Sequence, residues 1–264
     1  MRARRRVRRP ISHLALSLEA VMDYAKAITF IFQDDNWIGT LLIGGGVTLL
    51  GFFFFWTLIG PFLAYALLTG YMMQLIRDVY KDPDAELPPW EDWGAKMADG
   101  LKLMVAQFIW ELPLFLVAIP FLGTMILSTS NPDSDVLEVF AIVSYFGFLC
   151  LTFFYSMFFM IVQPAMTINL TIHDAFARAF DFTGIFRIIK THLAEVLIIA
   201  LLVYGISYFA GIMGMVMLLI GVVFTSFWVM LVRGHLYGQL ARLAFPATNQ
   251  ETDLATTSQP TTNA

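Results

Sequence analysis

Glu111 is the residue whose chemistry most needs explaining, because it lies deep within an apolar stretch. It stands nine positions beyond Lys102. At about 1.5 Å per residue that is roughly 13 Å along a helix, near the middle of a hydrocarbon core about 30 Å thick. An ionised carboxylate at that depth costs about 2.5–3.5 kcal/mol on insertion scales, so the group has to be protonated, paired or facing a wet cavity. Gln107 precedes it by one turn on the same face, and Pro113 and Pro120 free the carbonyls of Ile109 and Leu116. A polar pair beside proline-freed carbonyls is what a solute or proton path uses. The same residues also fit a structural role, with a neutral Glu111 bonded to Gln107 or to a freed carbonyl and helping to pack its helix.

Other constellations are weaker. The acids Asp82, Asp84, Glu86, Glu91 and Asp92 suggest a divalent-cation loop, but Leu87 and Trp93 stand where an EF-hand loop needs glycine and glutamate, so a solvated loop is the better reading. His13, His173, His192 and His235 show no metal-ligand spacing, and neither a nucleophile elbow nor a phosphate-binding glycine loop is present. The single cysteine, Cys150, excludes an intramolecular disulfide and a cysteine-based metal or iron–sulfur site. A net charge of −4 argues against a nucleic-acid binder. No cofactor, metal or enzymatic activity is expected.

The elements that must position Glu111 follow from where the charges fall. The 264 residues are 58% apolar and 14% charged, with mean hydropathy +0.72. Soluble domains run to about 45–50% apolar and about 25% charged, so the composition is that of an integral membrane protein. Trp37 to Ile76 is a forty-residue run without a charge, long enough for two crossings and broken at Gly60-Pro61. Val196 to Val232 is a second such run, broken by Ala210-Gly211 and Gly214. Between them a third hairpin turns at 128–135, a polar segment containing Pro132. The spacing predicts six transmembrane helices at about 37–57, 61–77, 101–127, 136–162, 193–211 and 214–233, the last running on past Arg233 as a cytoplasmic extension, with Pro61, Pro113 and Pro120 as helix-breaking positions. All sixteen Lys and Arg fall on one side of these hairpins, so both termini are expected to be cytoplasmic. Gly44-Gly45-Gly46 and the small pairs Ala66/Gly70 and Ser207/Gly211 suit close helix packing, whereas Phe52 to Phe55 with Trp56 suit a lipid- or helix-facing end.

Each hairpin is preceded by an amphipathic stretch. Leu14, Leu18, Val21, Ala25, Ile28 and Phe32 form the first, Trp90, Trp93, Met97 and Leu101 the second, and Ala175, Ala179, Phe182, Phe186 and Ile189 the third. Apolar faces with polar flanks and tryptophan fit helices lying in the membrane interface, with Trp37, Trp90 and Trp93 as anchors. The expected fold is therefore all-α integral membrane: six transmembrane helices as three hairpins, each preceded by a cytoplasmic interfacial helix. Residues 1–10 form a basic arm, 11–245 the membrane domain and 246–264 a disordered polar tail. The polar residues His13, Ser17, Glu19 and Asp23 leave no signal-peptide core behind the basic start.

Three segments resemble the prokaryotic membrane-protein family called domain of unknown function 4013: Asp34-Asp35-Asn36-Trp37-Ile38 running into Gly44-Gly45; Leu87-Pro88-Pro89-Trp90-Glu91-Asp92-Trp93-Gly94; and Ala175-Phe176-Ala177-Arg178-Ala179-Phe180-Asp181. The resemblance spans about residues 18–243 and implies a multi-pass prokaryotic membrane protein with no assigned activity. The expectation from the residues is a non-enzymatic scaffold or handler of lipid or small solute in the inner membrane. Its partners would be membrane lipids and an unidentified membrane protein, with no nucleic acid. The alternative is a transporter or channel using Glu111 and Gln107.

Overall fold

The computed structural model describes residues 22–217 and 220–246, and all regular structure among them is helical. The basic arm, the leading residues Leu14, Leu18 and Val21 of the first amphipathic stretch, and the tail from 247 lie outside the described residues. The α-helices are α1 (Tyr24–Thr29), α2 (Trp37–Phe53), α3 (Ile59–Lys81), α4 (Trp93–Ser130), α5 (Asp135–His173), α6 (Phe182–Thr191), α7 (Leu193–Val216) and α8 (Ile220–Ala244). Short 3₁₀ segments cover Phe30–Gln33, Phe55–Thr57 and Phe176–Phe180. Among the described residues four helices, α3, α4, α5 and α7, are long and apolar enough to cross a membrane. Helix α2 reaches that standard only together with Tyr24–Gln33, and the two are bent by 99° at the break between them.

Local chemistry explains most boundaries. The chain reverses at Leu58, which takes a left-handed φ of 57°. Pro61 then falls in the first turn of α3, where its missing N–H would have had no partner anyway. Ser134 caps α5 by accepting from the Leu137 N–H, with Asp135 and Glu138 near the positive end of the helix dipole.

Three expectations are corrected. Pro113 and Pro120 both lie inside α4, which runs through them unbroken. The Tyr155 hydroxyl donates to the Trp110 carbonyl, next to the Ile109 carbonyl that Pro113 leaves without its helical donor. The stretch ahead of the third expected span is not a separate helix, because α4 already begins at Trp93 and nothing interrupts it; Asp99 and Lys102, which looked like a polar boundary, form an ion pair at 3.1 Å along it. Helix α7 continues through Ala210, Gly211 and Gly214 to Val216. Gly214 serves contact rather than a turn, since a Cβ there would lie 2.6 Å from Val222 Cα on α8.

Helices α3 and α8 form the centre. Ala66–Met73, Leu75, Ile76 and Val79 are buried on α3, and Leu231, Val232, Leu236, Tyr237, Leu240 and Ala241 on α8. Helix α4 crosses α3 at its closest where Gly70 abuts the Lys96 backbone and Gly100 abuts the Ala66 carbonyl. This register sets the outline. Above Gly100, α4 has thirty residues, about 45 Å, whereas α3 has only seven above Ala66, about 10 Å. The α4–α5 hairpin therefore projects roughly 35 Å past the α2–α3 turn. Its sides are apolar and exposed, with Phe115, Leu116, Ile119, Val139 and Phe146 outward.

The third amphipathic stretch folds as the Phe176–Phe180 turn and α6. Ile185, Ile188 and Ile189 are its buried face, while Phe182 and Phe186 point outward. Asp181 caps it, accepting from Gly184 N–H at 3.0 Å and from Arg178 at 3.1 Å. The Gly184 amide, aided by Arg178, holds the Asp181 carboxyl below the usual carboxylate range. A depressed carboxyl contributes stability that is present above its unfolded value and lost as pH falls through its folded value. Protection of the Gly184 amide relative to its intrinsic exchange rate is therefore expected at neutral pH and lost on acidification, while Asp181→Ala lacks that protection throughout. Equal protection in the variant would refute the cap.

Candidate functional site

The polar group singled out from the sequence sits where α4 leaves the core. Gln107 and Glu111 are half-buried on α4, and the Tyr65 hydroxyl of α3 lies 3.1 Å from Gln107 Oε1. Glu111 makes no hydrogen bond or ion pair among the described residues, so the expected bond to Gln107 is not formed; Tyr65 takes that place. The Tyr65 phenol lies within electrostatic reach of both the Glu111 carboxylate and the Arg233 guanidinium of α8. Tyr155 of α5, whose hydroxyl bonds the Trp110 carbonyl, also feels the Glu111 charge. One acid and one base thus flank a tyrosine–glutamine hydrogen bond, and four helices contribute. Such a seam can hold a proton or the polar end of a small molecule against hydrocarbon walls.

In the sequence Arg233 was visible only as the end of the sixth expected span. It lies in the interior of α8, half-buried, with its Nε sealed from solvent and without a hydrogen-bond partner. Between α7 and α8 a groove of about 230 Å³ is lined by Ser207, Ala210, Gly211, Thr225, Ser226, Val229 and Arg233. A second, larger open cavity of about 640 Å³ gathers His173, Arg187, Thr191 and His192 with Phe245 and Pro246 at the opposite end of the bundle.

The three tryptophans have different settings. Trp90 stacks on Tyr71 with ring centroids 4.4 Å apart and lies 5.8 Å from Phe227, so it is half-inside the protein. Trp93 is exposed and donates from Nε1 to the Trp90 carbonyl at 2.9 Å. Trp37 meets Phe32 edge-on at 5.2 Å. Tyr71 completes the Trp90 cluster by donating to the Pro88 carbonyl at 2.7 Å, which ties the 82–92 loop down. The acids of that loop do not gather: among the described residues no three His, Cys, Asp or Glu side chains are placed to hold a metal ion. Asp84 instead pairs with Lys26, whose ammonium holds that carboxyl below its ordinary range.

A charged network that spacing alone did not reveal lies below the seam. Arg77 of α3 donates to Asp99 of α4 at 2.6 Å and to the Thr171 carbonyl of α5 at 3.2 Å. Lys102 bridges Asp99 at 3.1 Å and Asp174 at 3.0 Å, where Asp174 ends α5 in a left-handed turn of φ 46°. The network fastens α3, α4 and α5 together at the polar end of the bundle.

No curated protein and no solved structure matches the chain. A family model described as protein of unknown function (DUF4013) matches residues 52–222. That range holds the tryptophan-rich segment and the 175–181 segment but not Asp34–Gly45, and it takes in Tyr65, Gln107, Glu111 and the Arg77 network. With more than half of its length matched, this membrane-type helical chain belongs to the DUF4013 family.

Proposed function

We propose that the chain is a polytopic, non-enzymatic protein of the cell membrane that binds the polar end of a lipid or small solute at the Tyr65–Gln107–Glu111 seam. Three hairpins, α2–α3, α4–α5 and α7–α8, enter the bilayer from the face that carries the basic residues, with both termini cytoplasmic. Helices α4 and α5 cross fully, since the thirty residues of α4 beyond Gly100 reach about 45 Å, more than the hydrocarbon thickness of about 30 Å. The α2–α3 turn has no polar side chain but Thr57, and Trp56 is 90% exposed, so this hairpin ends within the apolar layer. Membrane lipids surround these faces, and the exposed α4–α5 flank leaves room for a membrane-protein partner.

The observation that carries the reading is the unpaired Glu111 beside the 3.1 Å Tyr65–Gln107 bond, on helices whose outer surfaces are apolar. A structural carboxylate in such surroundings finds a protein partner, whereas one that serves a ligand is left open. The test is purification of the full chain in mild detergent, with mass spectrometry of the lipids and solutes that accompany it. Glu111→Gln is expected to lower the yield of one co-purifying species several-fold at unchanged helix content. An identical profile in the variant would remove the seam from the function. Solute flux in vesicles that falls in parallel assigns transport; unchanged flux assigns binding without transport.

A further inference from the structure

The groove between α7 and α8 holds Arg233, a cation that no carboxylate among the described residues pairs with. We propose that it is a binding site for the oxyanion head, phosphate or carboxylate, of an amphipathic molecule, with Arg233 as the anion-binding residue. The proposal rests on the seam reading in one respect, that the chain handles lipid or solute, and it names the ligand chemistry.

Three features support it. First, Arg233 makes no hydrogen bond or ion pair among the described residues, and its Nε is sealed without a partner. Tyr65 from α3 and Tyr237 from its own helix lie within its electrostatic reach, and Tyr65 is also within reach of Glu111 of α4. No carboxylate lies within ion-pair distance of it among the described residues. A guanidinium in apolar surroundings is stabilised by an anion that accepts two parallel N–H bonds, which phosphate and carboxylate both do.

Second, the groove is chemically graded. Arg233 and Val229 lie at one end, and Ser207, Thr225 and Ser226 supply hydroxyls along the walls. The Ser207 and Thr225 hydroxyls are engaged with the Val203 and Val222 carbonyls at 2.6 and 3.2 Å, whereas Ser226 is exposed and makes no bond among the described residues. Ser226 is thus free to donate to a ligand in the groove that Arg233 lines. Ala210 and Gly211 leave the wall low and apolar where an acyl stem would leave.

Third, the groove opens on a lipid-type surface. Tyr208 and Phe209 of α7 are 76% and 59% exposed, next to the lining residues Ser207 and Ala210. A ligand with a charged head and an apolar stem fits this exit better than a free anion does.

The full chain, purified in a neutral detergent, is titrated with phosphatidylglycerol, with oleate and separately with inorganic phosphate, and binding is read by native mass spectrometry and thermal shift. Phosphatidylglycerol is expected to bind about tenfold more weakly to Arg233→Gln, with Arg233→Lys in between, and more weakly to Ser226→Ala. Loss of the oleate shift in the same variants extends the site to carboxylates. A phosphate shift that Arg233→Gln abolishes, with no lipid effect, makes the source a free anion and keeps the site. Equal binding of all three probes to wild type, Arg233→Gln and Ser226→Ala overturns the proposal. Because Ser226 is exposed, its variant keeps the test open if Arg233→Gln fails to fold. A profile sensitive to Glu111→Gln but not to Arg233→Gln sinks the groove alone and leaves the seam standing.

Discussion

Gly100→Ala is expected to unlatch α4 from α3, lowering stability by about 3 kcal/mol or more. A methyl group at Gly100 would collide with the Ala66 carbonyl and crowd the Gly70 backbone. Both are helix backbone, so no side chain can rotate away and relief requires the helices to part. Parting them opens the closest contact in the core and pulls Gly70 off the Lys96 carbonyl on the other side of the same crossing. Thermal or denaturant unfolding of the purified chain in detergent measures the effect. Gly123→Ala is the control: a Cβ there meets nothing within 4 Å, and alanine favours the helix by about 1 kcal/mol over glycine. The predicted order is a large loss at 100 and no loss at 123. Equal midpoints for the two variants would mean that this crossing does not hold the bundle together.

Half of that crossing was legible in advance. Ala66 and Gly70 stand out as a small pair on one face of an apolar run, and small faces let helices approach. Their partner was hidden. Gly100 sits between Asp99 and Lys102, and charges read as the end of a span. Those charges are accommodated inside a continuous helix because Asp99 meets Lys102 one turn along and Arg77 on α3, the second a pairing that no local window contains. The last helix is easier to read: it is expected to run on past the end of its span at Arg233, and α8 does continue to Ala244, although spacing does not show that His235 on this extension is buried. Proline gave the opposite error. Pro61 marks a real start, while Pro113 and Pro120 are carried within α4. Proline removes one donor wherever it sits, and in the first turn that donor has no partner to lose, whereas inside α4 the loss is carried within a helix that continues on both sides.

The candidate site divides along the same line. Glu111 and Gln107 are conspicuous by type, because a carboxylate and an amide are rare in apolar runs. Tyr65 gave no signal, since tyrosine is at home anywhere in a membrane protein, and only the 3.1 Å approach across the α3–α4 interface assigns it. Residues that act alone are read from sequence; residues that act across a helix crossing are not.

The second large effect expected is at Asp99. Its carboxylate is the shared acceptor for Arg77 at 2.6 Å and Lys102 at 3.1 Å, and the two side chains of the shorter pair are 25% and 17% exposed. Asp99→Ala leaves Arg77 with the Thr171 carbonyl and with Asp174 at 3.6 Å, too few partners for a half-buried guanidinium. Breaking a buried pair from one side costs about 3–5 kcal/mol; with a quarter of the Arg77 side chain exposed, roughly 1–3 kcal/mol is expected. Asp174→Asn, at a side chain 64% exposed, is expected to lose less than about 1 kcal/mol. Replacing both members of the pair, Arg77→Met with Asp99→Leu, should recover much of the loss, because the penalty lies in the orphaned charge more than in the missing bond. Unfolding midpoints of the three variants, set against wild type, decide it. If Asp99→Ala is no worse than Asp174→Asn, the network is a solvated fringe, and α5 is then held to α3 and α4 by apolar packing around Met166, Ile168 and Leu170 alone.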